Sequence, residues 1–153
     1  MDGSSHPKDA SQGETPLDYQ QDISEILKTM VGLSTVIAGT GLERSLHHLV
    51  QLRASQINRC GFCVEMHTRE ARQDGETGER LDRVVVWDQV DDFSEREKAA
   101  FAWTEALTEL DPKADLAPLR ARLRKVFTDP EIGVLTATVA MINLWNRINI
   151  SRH

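Results

Sequence analysis

Apolar side chains recur at three- and four-residue steps along almost the whole chain from Leu17 onward, and that period restricts it to helices. Ile23, Ile26, Leu27, Met30 and Leu33 mark the buried face of a first helix, ended by Gly39 and Gly41. A second is expected over about residues 42–57, with Leu46, Leu49, Val50 and Ala54 inward. Asn58 is placed to cap a third, beginning near Cys60 and stopping at Gly75. Thr77 suits the cap of a fourth, running through Trp87. Ser94 and Glu97 then form a capping box ahead of Ala99, Trp103, Ala106, Leu107 and Leu110. A short helix around residues 116–127 follows. Thr128 and Glu131 make a second capping box, with Pro130 in the first turn, where its missing N–H is harmless. The last helix, about residues 131–148, is apolar nearly all round. That suits the centre of a core or a subunit interface, with Trp145 as an anchor. The only β-branched run, Val84-Val85-Val86, sits inside a helical pattern. The reading is all-α: a single-domain bundle of about six to seven helices that forms an oligomer.

A chain of 153 residues is enough for one domain with one sizeable core. Residues 1–16, rich in Ser, Gly, Pro and charge, read as a flexible tail before a helical domain over 17–153. The longest apolar run, Val134 to Leu144, is broken by Thr136 and Thr138 and falls short of the roughly 18 residues that span a bilayer. With no apolar export segment near the start, a cytoplasmic setting is expected and no membrane partner. The formal charge of −6 gives no general attraction to phosphate backbones, so nucleic acid is a poor partner. Arg120, Arg122, Arg124 and Lys125 read as one solvated face.

Chemistry is concentrated in two cysteines, Cys60 and Cys63. A stapled secreted fold usually needs more, so the pair reads as reactive rather than as framework. On a helix Cys60 and Cys63 are i and i+3, and Cys63 and His67 are i and i+4, so all three share a face. Two thiols so spaced are within bridging range. A helix N-terminus and a nearby imidazole lower a thiol pKa from about 8.5 to roughly 4–7 and so favour the thiolate. Two other readings stay open: a buried structural pair, and zinc held by Cys60, Cys63 and His67 with His47, His48 or His153 completing the set. Covalent haem is excluded, because Val64 stands where that motif needs histidine. A thioredoxin fold is disfavoured because the motif follows a helix.

The run from Leu49 to Asn58, then Cys-Gly-Phe-Cys-Val-Glu-Met-His over 60–67, then Thr68–Arg72 and Gly75-Glu76, resembles the carboxymuconolactone decarboxylase family. More narrowly it is similar to that family's alkylhydroperoxidase D-like branch. The likeness continues through Phe93–Ala100 and Ile142–Arg147. The resemblance implies a helical fold assembling as trimers or hexamers, with a dithiol that reduces peroxides or disulfides and needs neither metal nor organic cofactor. It implies that Cys63 attacks peroxide, that Cys60 is the more accessible resolving thiol, and that His67 serves a proton relay. Its partners would be a hydroperoxide and an external dithiol or protein reductant. Phe62, Met66 and Trp145 would line an apolar mouth for alkyl hydroperoxides. Two departures stand out. The family's relay glutamate, twelve residues before the first cysteine, is His48 here, and the histidine often found between the cysteines is Phe62. His48 is a candidate base near neutral pH, but it supplies no negative charge to orient a second imidazole. The expected function is an antioxidant dithiol peroxidase. The alternatives are a thiol–disulfide oxidoreductase with a protein or lipoyl partner, a lactone decarboxylase (whose chemistry does not need both cysteines), and a non-catalytic helical oligomer.

Overall fold

The computed structural model describes residues 13–153, so most of the stretch read as a tail lies outside the described residues. The helices are α1 (Tyr19–Asp22), α2 (Ser24–Ala38), α3 (Arg44–Ile57), α4 (Gly61–Gln73), α5 (Gly78–Arg83), α6 (Glu95–Glu109), α7 (Ala117–Leu123) and α8 (Asp129–Ser151). A 3₁₀ segment, Val84–Gln89, links α5 towards α6, and there is no strand among the described residues. No helix among the described residues is long and apolar enough to cross a membrane. The fold is the expected all-α bundle.

Helix α3 is the axis of the bundle, packed against α4, α6 and α8. Its Leu46 and Val50 join Trp103, Leu123, Leu135 and Val139 in one cluster. From the same helix Leu49 and Leu52 join Leu81, Val84, Trp87 and Phe101 in a second. Residues such as Leu49, Leu52 and Phe101, at most 1% exposed, each contribute roughly 1.5–3 kcal/mol by burial. Helix α2 is held more lightly. Leu27 and Met30 pack with Met141 of α8, and the Trp145 indole N–H donates to Ser34 Oγ at 2.9 Å. Trp145 is half-buried and engaged with α2 of its own chain.

Both capping boxes form as the sequence predicts, at Ser94 and at Thr128. Four details differ. Asn58 does not start α4; it ends α3, and Cys60 takes the N-cap. The cause is the turn between them. Arg59 adopts a left-handed φ of 56°, so that Cys60 N–H reaches Ser55 O at 3.0 Å and Arg59 N–H reaches Gln56 O at 3.1 Å. This closes α3 with a Schellman motif and leaves Cys60 extended for the next helix. Second, the helix expected through Trp87 stops at Arg83 and continues as 3₁₀ turns broken by a kink at Val86 (φ −123°, ψ 29°), with Val84 and Trp87 buried on either side of it. Third, Ile26 and Leu33 point outward, 58% and 51% exposed. Helix α2 lies against α8 alone among the long helices, so its inward stripe is too narrow to include them. Fourth, Leu110 is 65% exposed, because it closes α6 with a left-handed φ of 50°.

The end of α3 is tied to α8 by side-chain amides. Asn58 Nδ2 donates to Asn143 Oδ1 at 2.9 Å and Asn146 Oδ1 at 2.8 Å, and Asn146 Nδ2 donates to Ser55 Oγ at 3.0 Å. Asn146 is wholly buried. Replacing it by Ala removes two hydrogen bonds and leaves a void beneath the cysteine turn. Asn146→Ala is expected to lower the unfolding free energy by about 2–3 kcal/mol, read as a lower urea midpoint at unchanged slope.

Candidate functional site

Cys60 and Cys63 are joined in a disulfide across the first turn of α4, with their Cα atoms 5.3 Å apart. The geometry follows from the turn that ends α3. Cys60, as N-cap, turns its sulfur onto the helix start, where it accepts the Cys63 N–H at 3.4 Å. Positive charge from unpaired N–H groups favours a thiolate at that position. Cys63 Sγ in turn accepts a hydrogen bond from Asn149 Nδ2 of α8 at 3.7 Å. Both cysteines are buried, Cys60 at 2% and Cys63 at 0% exposure, so the expected difference in accessibility is slight. Their surroundings differ more. Cys63 lines a cavity of about 760 Å³ between α2, α3, α4 and α8, and Cys60 does not.

Apolar groups on the cavity wall include Phe62, Met66, Trp145 and Val31, three of which the sequence assigned to such a mouth. The same cavity is lined by His47, His48, Gln51, His67 and Glu70, with Arg44 and Arg152 adding positive charge. The four residues singled out from the sequence, Cys60, Cys63, His67 and His48, are therefore brought together. With the sulfurs bonded to each other, neither is a thiolate ligand for zinc.

His67 is 3% exposed, and neither ring nitrogen has a hydrogen-bond partner among the described residues. Burial pushes its pKa from 6.5 down to about 4, and the rings of His48 and His47 add to the effect. Glu70 Oε2 lies 3.6 Å from His67 Nδ1. At neutral pH this is a neutral imidazole facing a carboxylate, not an ion pair. His48 has a negative partner of its own. Its Nε2 lies 2.5 Å from Asp74 Oδ2, and Arg44 Nε is 2.6 Å from the same oxygen. The bond to His48, with help from Arg44, holds the Asp74 carboxyl below the usual carboxylate range. An ionised Asp74 only accepts, so the Nε2 of His48 carries a proton.

The carboxymuconolactone decarboxylase family model matches residues 24–106. YdfG of Bacillus subtilis, an uncharacterised protein, is 32% identical over 135 residues, which is 88% of this chain and 92% of YdfG. The chain belongs to the carboxymuconolactone decarboxylase family. A second uncharacterised relative, YnjA of Escherichia coli, is 32% identical over 71% of this chain and 59% of its own length. Among solved structures, an Agrobacterium tumefaciens protein of unknown function, proposed to be the antioxidant defence protein AhpD, superposes with a TM-score of 0.86. It is 34% identical, with 91% of this chain and 95% of that one covered. An uncharacterised peroxidase-related protein of Ralstonia eutropha, an alkylhydroperoxidase AhpD core, shares the fold at a TM-score of 0.74 and 20% identity, covering 85% of this chain and 69% of that one.

The segment matched by the carboxymuconolactone decarboxylase model holds Cys60, Cys63, His67 and His48, but α8, and with it Asn149, lies beyond it. Glu70, Asp74 and Asn149 were not foreseen. Glu70 was within reach of sequence reasoning, since it follows His67 by three on one helix face. Asp74 and Asn149 meet their partners across 26 and 86 residues, and no local pattern signals such pairs.

The lowered histidine pKa values have a consequence for stability. His67 and His47 both fall from 6.5 to about 4, each mainly through burial. Between pH 6.5 and 4 the unfolded chain takes up protons that the native state refuses. Stability is therefore full above pH 6.5 and falls as the pH drops towards 4. A difference of roughly 2.5 units corresponds to about 3 kcal/mol per histidine. Urea unfolding between pH 7 and 4.5, with chelator present, is expected to show this loss, and His67→Gln should remove about half of it.

Proposed function

We propose that this chain is an antioxidant dithiol peroxidase that reduces hydroperoxides through Cys60 and Cys63. The observation that carries the reading is that one sulfur of a CxxC pair, Cys63, lines a cavity walled by apolar groups and by an uncharged buried histidine. A hydroperoxide entering there meets Cys63 first. The Cys63 thiolate attacks the terminal peroxide oxygen, leaving Cys63 as the sulfenic acid and releasing the alcohol once its alkoxide is protonated. The Cys60 thiol then displaces hydroxide from that sulfur, giving the Cys60–Cys63 disulfide and water. An external dithiol or protein reductant restores the pair through a mixed disulfide at Cys60. Gly61, beside Cys60, is exposed with no atom within 4 Å of where a Cβ would stand, which leaves that side open to a partner.

His67 acts as a relay and not as a store. With a pKa of about 4 it does not hold the Cys63 proton as a standing imidazolium. It passes the proton on, with Glu70 as the half-exposed neighbour in contact with solvent. His48, fixed by Asp74, occupies the place of the family's relay glutamate.

The test is to reduce the protein, add one equivalent of an alkyl hydroperoxide and follow the thiols by intact and peptide mass spectrometry. Loss of two hydrogens mapped to the Cys60–Cys63 peptide within seconds is the expected outcome. Thiols unchanged over many minutes would overturn the peroxidase reading. Fast exchange with a lipoyl or protein disulfide would then identify an oxidoreductase instead.

The chain is further proposed to act as a homo-oligomer, trimer or hexamer. Val36 joins Ile26 and Leu33 on one side of α2 as apolar residues left more than half exposed in one chain. A second copy is the simplest cover for such a face. Sedimentation velocity is expected to show an oligomer, and Val36→Glu to shift it towards monomer. A purely monomeric species would sink the proposal.

A further inference from the structure

One ligand atom from each of His48, His67 and Glu70 lies within 4.8 Å of the other two, and all three residues line the cavity beside Cys63. His48 and His67 are 7% and 3% exposed. The Nδ1 of His48 and both ring nitrogens of His67 are buried without a hydrogen-bond partner among the described residues. Buried polar atoms are nearly always paired, so three such nitrogens beside a carboxylate point to a ligand. We propose that His48, His67 and Glu70 bind a divalent transition-metal ion of the zinc class, with a further coordination position open to the cavity.

The donor set supports that class of ion. Two imidazoles and one carboxylate form a borderline set that suits zinc and its neighbours, whereas magnesium and calcium prefer oxygen ligands throughout. Bonds of about 2.0–2.2 Å require the three donors to close in by roughly an ångström. Glu70 has the freedom to supply most of this, since its side chain is 42% exposed. Behind His48 stands Asp74, accepting the Nε2–H at 2.5 Å, with Arg44 Nε 2.6 Å from the same oxygen. A carboxylate behind a ligating histidine fixes its tautomer and orientation and raises its basicity. The sequence shows why the site is unusual. It arises because histidine stands at position 48, where the family resemblance leads one to expect glutamate. Metal on His67 also occupies the residue that serves as proton relay on the peroxidase reading, so the cavity serves one purpose at a time.

The experiment uses the full chain in its disulfide form, where no thiol is free to bind metal. After chelator treatment and buffer exchange, Zn²⁺ is titrated by calorimetry and Co²⁺ by visible absorption. The expected result is one saturable site per chain, with cobalt bands of low coordination number and no sulfur-to-metal charge transfer. Asp74→Ala should weaken binding by about 10–100-fold, and Glu70→Ala by at least as much. Far-UV circular dichroism confirms that each variant is folded, and half-exposed Glu70 is the safer of the two. Absence of saturable binding overturns the proposal, as does a folded Glu70→Ala variant that binds as tightly as the unsubstituted chain. Because these measurements use oxidised protein and no peroxide, their failure leaves the peroxidase reading untouched. That reading is tested on reduced, metal-free protein.

Discussion

Reduced Cys63→Ser protein, given one equivalent of an alkyl hydroperoxide, is expected to lose rapid peroxide consumption altogether, while Cys60→Ser still reacts once and stops. The asymmetry follows from the cavity. Cys63 lines it and Cys60 does not, although the two sulfurs are bonded to each other. Removing the sulfur that meets the peroxide removes the nucleophile, and the rate should fall on the order of a thousandfold or more. Removing Cys60 leaves the nucleophile but no thiol to condense with it. Cys63 should then accumulate as a sulfenic acid, trapped by a dimedone-type reagent and located by peptide mass spectrometry. The opposite pattern, with Cys63→Ser active and Cys60→Ser inert, would reverse the assigned roles. Neither serine should disturb folding much, since the substitution is nearly isosteric. Unfolding midpoints measured on the reduced proteins check this.

His67→Gln is expected to slow the same first oxidation by about 100-fold, within the usual range for loss of a proton-transfer group. Glutamine preserves the bulk of the buried ring and cannot relay a proton through two nitrogens. The effect should therefore fall on the rate of sulfur oxidation and not on saturation by the hydroperoxide, which the apolar wall determines. Stopped-flow measurement with tryptophan fluorescence separates the two, Trp145 lying on the cavity wall. Glu70→Gln, one step further along the relay, should produce a smaller loss. Because burial holds His67 near pKa 4, the wild-type rate should not show a titration of His67 between pH 6 and 8. A His67→Gln rate within about twofold of wild type would remove His67 from the mechanism and leave Asn149 and the helix start as the groups that activate Cys63.

The helices and most of their boundaries were legible in the sequence, because they depend on residues a few positions apart. Ser94 with Glu97 and Thr128 with Glu131 formed their capping boxes, and Cys63 and His67 came to the buried side of α4, with Cys60 at its N-cap. The misreadings arose where a local signal met a non-local one. Asn58 has the chemistry of an N-cap, yet its amide is taken by Asn143 and Asn146 more than eighty residues away. Ile26 and Leu33 fit a helical stripe, yet only the packing of α2 on α8 determines which side of that helix is inside.

The sequence by itself determined a helical chain of the carboxymuconolactone decarboxylase family with a dithiol at the start of one helix, because periodicity, capping and i, i+3 and i+4 spacing are local properties. Only the tertiary structure decided that Asp74 stands behind His48, that Asn149 reaches the Cys63 sulfur, and that Cys63 alone of the pair lines the cavity. Each of these depends on where α3, α4 and α8 cross. That crossing is determined by the summed burial of many side chains, a property that no short stretch of sequence contains.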